Sequence, residues 1–447
     1  MEKQKSKFSQ WVQKSITARM LIVGFLLLIL LIPLEFVKSL IYERSVRQQE
    51  VIHEINEKWG NEVLISGPIL EIPYLTHVEN KTYDEKLEKY VKTTSIVKNK
   101  SWFFPENLTI DSQVDTLDRN RSIYKSIVFT ANMNFTGDFP VIDFSDKNIA
   151  EQDILWEEAR IFIQSSNTKG IKSDLVLSLN GNEWNMISTY DNNYLRNIIS
   201  EQNIDYRELA KNNVPFSLEM KIQGSESLKF IPIGKRTTAT MKSNWHSPGF
   251  DGEFLPEDSS KVISNEGFSA QWNIFHLSRS FEQSFFGSLP DLKNYAFGTN
   301  FVEPVNDYVK TERTSKYGFM VIGLTLLVFL MIQIGSNVYI HPLQYIMIGL
   351  ALVLFYTLLI SISEHSSFTK AYLIAGVSVM ALITLYSRSI LKGFKFPIMV
   401  CLSLTGLYTF IYIIIQLENY ALLAGSIGMF IILAVIMYAS RRVDWEK

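Results

Sequence analysis

Six histidines and a few carboxylates beside long apolar runs are the side chains whose placement could support chemistry. His53, His77, His246, His276, His341 and His365 are scattered. None has a second His, Asp or Glu at a helical metal-ligand spacing, apart from Glu50 and Glu54 around His53, so a metal centre is not expected. No nucleophile elbow, Walker loop, HExxH, CxxC or dinucleotide fingerprint occurs, and no catalytic residue and no cofactor is called for. Ionisable groups inside apolar spans are costly and often functional. Here Glu35, His341, Glu364, His365 and Glu418 all fall at the ends of runs, within reach of water. Side chains that fix loop turns are therefore the first reading, and a proton or substrate path the second. Glu364-His365 is the strongest functional pair. The segment from Tyr339 to Tyr345 around His341 is its counterpart at the opposite face, and could equally be an aromatic-belt helix start.

The elements that carry these residues are legible from hydropathy. Apolar runs at about 317–334, 342–362, 370–387, 396–416 and 421–439 follow one another closely, and each approaches the roughly 20 residues that cross a 30 Å hydrocarbon core. A sixth run, 20–42, follows Lys3, Lys5, Lys7, Lys14 and Arg19 without a small-x-small cleavage site, which predicts a signal anchor. Pro33 is expected to kink it. The segment 43–60 reads as an amphipathic stalk helix: Val51, Ile52, Ile55 and Trp59 recur at helical spacing, with Glu43–Arg47 and Glu54–Lys58 as i, i+4 pairs.

Between the spans lies a different composition. Residues 41–316 hold 39 acidic and 30 basic side chains, whereas the remainder holds 6 and 13. A solvated, mildly acidic segment of this size can bury its own core and argues against nucleic acid as a partner. The single cysteine, Cys401, lies in an apolar run, so disulfides do not staple this segment. Every second residue is apolar in Ile127–Phe135, Leu218–Ile222 and Phe268–Ile274, the period of half-buried strands. Asn-Glu-Val-Leu-Ile-Ser-Gly67-Pro68-Ile-Leu reads as strand, turn or bulge, strand. Helical patches are expected at 148–159 and 194–211. Similar segments at 135–140 and 250–256 suggest two related lobes. Trp102, Phe103, Phe104, Trp245, His246, Phe250 and Phe254 are expected in the core, with an aromatic ligand groove as the alternative.

The fold class that follows is an α-helical polytopic membrane protein with six spans, one plus five. A large extracytoplasmic β-rich, sandwich-like α+β domain is inserted between spans 1 and 2. The divisions are 1–19 (cytoplasmic), 20–42 (span 1), 43–60 (stalk), 61–316 (periplasmic domain), 317–439 (five-helix bundle) and 440–447 (cytoplasmic). Arg388, Lys392, Lys395, Arg441, Arg442 and Lys447 join the N-terminal cations on the side predicted to be inside, whereas the outside links carry only Lys370.

Several blocks resemble the CreD family of bacterial inner-membrane proteins. They are Ile41-Tyr-Glu43-Arg44…Arg47, Glu54-Ile…Trp59-Gly60 and Gly67-Pro68…Ile72-Pro73-Tyr74. Arg121-Ser122-Ile-Tyr124 follows, with Ser122 where the family has Gly, and then Trp245…Pro248-Gly249-Phe250…Gly252…Leu255-Pro256, with Gly249 where Ser is usual. Gly267-Phe268…Ala270…Trp272, Tyr339-Ile-His341-Pro342-Leu343-Gln344-Tyr345, Phe355-Tyr356 and Ser363-Glu364-His365 complete the resemblance. It implies an inner-membrane protein linked to cell-envelope integrity, in some bacteria under a two-component regulator that also touches colicin tolerance and β-lactam response, and implies no molecular activity. Glu43, Arg44, Arg47, Trp59, Gly67, Pro68, Tyr74, His341, Glu364 and His365 are the candidate functional residues. Apart from the lipid bilayer, the expected partner is an envelope lipid, glycan or protein, bound without catalysis. A transporter or lipid flippase is the second reading, and an enzyme acting on envelope precursors the third.

Overall fold

The computed structural model describes residues 15–84, 89–147, 149–189, 193–301, 307–336, 338–391, 393–417 and 420–441. Lys3, Lys5, Lys7, Lys14, Asn148, Lys392, Glu418, Arg442 and Lys447 lie outside the described residues. The chain forms two compact units, one of residues 1–50 with 305–447 and one of residues 51–304.

In the first unit, α1 (Ile16–Trp59) contributes its apolar N-terminal part. It is joined by α2 (Asp307–Lys316), α3 (Gly318–Ser336), α4 (Pro342–Ser363), α5 (Phe368–Ile390), α6 (Lys395–Gln416) and α7 (Ala421–Ser440). All except α2 are long and apolar enough to cross a membrane. Helix α2 is a correction: 307–316 was assigned to the β-rich segment, yet it belongs to the helical unit. Its Thr311 and Thr314 are fully buried, with hydroxyls returned to the Asp307 and Lys310 carbonyls. Small residues let the long helices approach, as in other membrane bundles. A Cβ on Gly349 would overlap Leu30, and one on Gly318 would lie 2.7 Å from Leu34 Cδ1.

Among the described residues, the second unit is built on sixteen strands. They begin with β1 (Val63–Asp84), β2 (Lys89–Phe103), β3 (Asn107–Arg121), β4 (Tyr124–Phe139), β5 (Arg160–Ser165), β6 (Val176–Leu179), β7 (Asn182–Ser188) and β8 (Arg196–Ser200). They continue with β9 (Val214–Ser225), β10 (Ser227–Phe230), β11 (Arg236–Ser243), β12 (Gly249–Gly252), β13 (Val262–Ser264), β14 (Gly267–Phe275), β15 (Ser284–Phe286) and β16 (Phe297–Asn300). The order β12-β16-β10-β1-β5-β8-β7-β6-β9-β4-β3-β11-β14-β13 is continuous, with β2 and β15 attached beside β1. Strand β7 pairs with β8 on one side and β6 on the other, so it joins two half-sheets. Their apolar faces meet through Phe135–Phe230 and Trp272–Phe297, with ring centroids 6.1 and 5.6 Å apart. This is the sandwich that the period-2 pattern requires, because each strand must bury one face. One core serves the whole unit, so the two suggested lobes do not separate.

The helical patches at 148–159 and 194–211 are a second correction. Glu151–Asp153, Trp156–Glu158 and Leu209–Lys211 are single 3-10 turns, and Arg196–Ser200 is strand β8. Leu195, Ile198 and Ile199 have helix-like spacing, but Ile198 and Ile199 satisfy their backbone by pairing with β5. Tertiary pairing overrides local periodicity there. Of the aromatic expectations, Trp102, Phe103, Phe104 and Trp245 are buried, and Phe250 and Phe254 pack against the same core, but His246 is exposed, its ring 4.9 Å from that of Trp245.

Ser122, at the turn between β3 and β4, sits at φ 57°. A left-handed residue with a Cβ costs roughly 1–2 kcal/mol, and glycine removes this at some expense in unfolded-chain entropy. Ser122→Gly should therefore stabilise the β-rich unit by about 1 kcal/mol. A urea midpoint that stays the same or falls would show that the turn is not strained.

Candidate functional site

In the helical unit, Glu364 ends α4 and gathers two partners. Arg44 Nε lies 3.7 Å and Tyr308 Oη 3.4 Å from Glu364 Oε1. Glu364 is only 14% exposed while Arg44 is 47% exposed, so the ion pair is worth at most about 1 kcal/mol. Asp307 Oδ2 accepts from the Phe368 amide at 3.0 Å and so caps α5 from a neighbouring helix. Neither Tyr308 nor Asp307 was singled out. The signal lay in an Asp-Tyr start to a helical Thr311/Thr314/Ser315 repeat, which the strand-rich neighbourhood masked. His365 is exposed and does not join Glu364. Glu43 is exposed as well, and Arg47 pairs with Glu50 at 2.9 Å rather than with Glu43. His341 has a structural role: its Nδ1 accepts from Leu343 N at 3.2 Å while Gln344 Oε1 accepts from its own amide, a capping box that starts α4.

Deeper in the bundle, Phe355 and Tyr356 of α4 meet Tyr372 of α5 and Tyr408 of α6. Tyr372 Oη donates to the Tyr408 carbonyl at 2.8 Å. Between α3, α6 and α7 a cavity of about 680 Å³ is lined almost wholly by apolar side chains, among them Leu327, Leu402, Phe410 and Ile432.

In the β-rich unit the remaining flagged residues make packing, ion-pair and backbone contacts. Arg119 lies over the Trp59 ring at 4.8 Å, and Glu54 pairs with Arg121 rather than with Lys58. Gly67 has φ 139° and its peptide to Pro68 is cis; the pairing of β1 with β5 shifts between Ser66 and Ile69, which is the expected bulge. A Cβ at Gly67 would press on the Ile163 backbone at 3.0 Å. Tyr74 is buried among Phe144 and Phe286, and burial pushes its phenol up.

Two buried charges stand nearby. Arg279 donates to the Ile233 and Gly234 carbonyls at 3.1 and 3.0 Å, and burial pushes its guanidinium down to about 10. Glu71 on β1 is 4% exposed and accepts from Lys100 Nζ at 2.9 Å; burial raises its carboxyl above 4.5 despite the lysine. A raised folded-state value means that the stability linked to this group is complete below pH 4.5 and is lost as pH rises through the folded value. Glu71→Gln should remove that slope, which urea midpoints of the two proteins across mildly acidic pH would reveal. Parallel pH profiles would assign the slope to another group.

One opening in the β-rich unit lies away from every candidate functional residue singled out in the sequence. A cleft of about 670 Å³ lies on the solvent face of β11-β3-β4-β9, walled by Ser173 and Asp174. The register aligns Thr240, Asp111, Asn134 and Glu219 in one cross-strand row. Lys242, Gln113, Asn132 and Lys221 form the next. Lys172 N donates to the Lys221 carbonyl at 2.9 Å and Lys221 N to Ser173 Oγ at 3.2 Å, which seats the wall on β9. Alternation along each strand put polar side chains on this face, but sequence alone could not show that four distant strands stand side by side. Among the described residues no three His, Cys, Asp or Glu side chains gather as a metal site. The cleft offers hydrogen-bonding groups and charges of both signs.

Residues 15–446 match the family model described as inner membrane protein CreD. The chain belongs to the CreD family. The inner membrane protein CreD of Escherichia coli (strain K12) is 27% identical over 426 residues, covering 94% of this chain and 91% of that protein. The match runs through all six apolar helices and the whole β-rich unit, so the six-span architecture is that of a CreD-type, multi-pass inner-membrane protein. Both the Glu364 cluster and the cleft lie within the matched CreD region.

Proposed function

We propose that this CreD-type protein contributes to cell-envelope integrity by non-enzymatic binding through its β-rich unit, held on the periplasmic side with both termini in the cytoplasm. The cleft across β11-β3-β4-β9 carries the reading, because it concentrates hydrogen-bonding groups, with neither His nor Cys in its lining and no metal-ligand cluster among the described residues. The orientation rests on Arg388, Lys395 and Arg441 beside links that face the cytoplasm in this arrangement, since cations accumulate there. Single cysteines test it. In a Cys401→Ser background, Glu253→Cys should react with an impermeant maleimide on spheroplasts and Arg388→Cys should not. The reverse pattern would overturn the topology. Function is read by complementation of an envelope-stress phenotype, where Asn134→Ala with Lys221→Ala should fail. Full rescue by that variant would remove the cleft from function.

The apolar cavity between α3, α6 and α7 favours a second reading, a lipid-handling or transport role for the bundle. Filling it with Gly406→Leu would abolish rescue under this reading and leave it intact under the first.

A further inference from the structure

We propose that the ligand of the β-sheet cleft is an extended glycan strand bearing both carboxylate and ammonium substituents; this rests on the reading that the β-rich unit acts by binding. The chemistry of the face selects the class. Its two rows present amides (Gln113, Asn132, Asn134), a hydroxyl (Thr240) and charged groups, while Met133 and Met220, which also line the cleft, are buried in the core beneath them. Protein interfaces centre on apolar and aromatic anchors, so a folded protein partner is disfavoured, and an acyl chain finds no apolar wall here. Amides donate and accept together, which suits vicinal hydroxyls and acetamido groups.

Charge narrows the choice further. Asp111, Asp174 and Glu219 stand against Lys221 and Lys242, a near balance that gives neither a polyphosphate nor a polycation much gain. The signs are also segregated. Asp111 and Glu219 lie in one row, Lys242 and Lys221 in the next, two residues along the strands or roughly 7 Å apart. A ligand with ammonium and carboxylate groups at that separation satisfies both rows. Across the strands, neighbouring side chains repeat at about 4.8 Å, so four strands offer a track of roughly 14 Å. That repeat is close to the advance of successive pyranose rings in an extended glycan. The 172–174 wall, fixed to β9 by its two hydrogen bonds, closes the track at one end and adds Asp174.

The test uses the full chain in nanodiscs with two soluble probes, chitohexaose and disaccharide-peptide fragments of peptidoglycan, measured by calorimetry. The fragments should bind at least about tenfold more tightly than chitohexaose. Asn134→Ala and Gln113→Ala should each weaken both probes, whereas Lys221→Gln with Lys242→Gln should weaken the charged fragments and spare chitohexaose. These positions face solvent, and an unchanged urea midpoint confirms that each variant folds. Equal binding by parent and variants would overturn the proposal, as would no binding of either probe. If neither probe binds and Asn134→Ala with Lys221→Ala still fails to restore the envelope phenotype, the glycan class falls and the binding reading stands. If that variant restores it, both fall.

Discussion

Gly267→Ala should strip the β-rich unit of stability upwards of about 3 kcal/mol, the sum of left-handed strain and backbone overlap. Gly267 opens β14 at φ 143°, where a side chain is rarely tolerated. The second obstacle is space. An added Cβ would overlap the Ser243 carbonyl oxygen and lie 2.8 Å from Asn244 Cα. Both neighbours are backbone at the end of β11, which pairs with β14 and with β3 and so cannot move without disturbing two ladders. In nanodiscs the unfolding temperature of the unit should fall by roughly 10 °C. A shift under about 2 °C would mean that the strand end relaxes at little cost.

Trp272→Ala has a comparably large expected effect. Trp272 heads the fully buried side chains at 1% exposure, and its ring packs against Phe250 and Phe297 with centroids 5.8 and 5.6 Å away. Its Nε1 donates to the Phe254 carbonyl at 3.2 Å, tying the loop after β12 to β14. Truncation removes contacts across both half-sheets and leaves a cavity, a loss of about 4 kcal/mol. Trp272→Phe keeps most of the packing and loses the donor, so about 1–2 kcal/mol is expected. Urea midpoints of the two variants separate packing from the hydrogen bond; equal losses would mean that the hydrogen bond, not the ring volume, dominates.

Gly267 and Trp272 both belong to the Gly-Phe…Ala…Trp block that suggested the family, and both act through packing. The same is true of several residues flagged for function. His341 caps a helix, Tyr74 fills a core, Trp59 carries a cation, and Gly67 lets β1 pass close to β5. Distinctive residue types at fixed spacings marked places where backbone geometry is demanding. Only Arg44 and Glu364 among the candidates came together, and Tyr308 joined them from a helix mistaken for part of the strand-rich segment.

The two i, i+4 ion pairs expected along α1, Glu43–Arg47 and Glu54–Lys58, show why local spacing was insufficient. Glu54 turned to Arg121, 67 positions away, and Arg47 chose Glu50 over Glu43. An i, i+4 pair on an exposed helix is worth only a few tenths of a kcal/mol, so another neighbour on the same helix or a well-placed tertiary partner displaces it.

The sequence by itself determined the six spans, their separation from an acidic strand-rich segment, and the buried face of each long strand. Burial of apolar surface is a strong signal with a fixed period, and it survives any choice of neighbour. Tertiary structure alone decided strand order, the single core of the sandwich, the Glu364–Arg44–Tyr308 cluster and the polar cleft. Each depends on which distant segments stand side by side. The rows Thr240–Asp111–Asn134–Glu219 and Lys242–Gln113–Asn132–Lys221 each bring together residues up to 129 positions apart from four strands, and every residue in them reads alone as an ordinary solvated side chain. Register, which no single strand encodes, turned them into one surface.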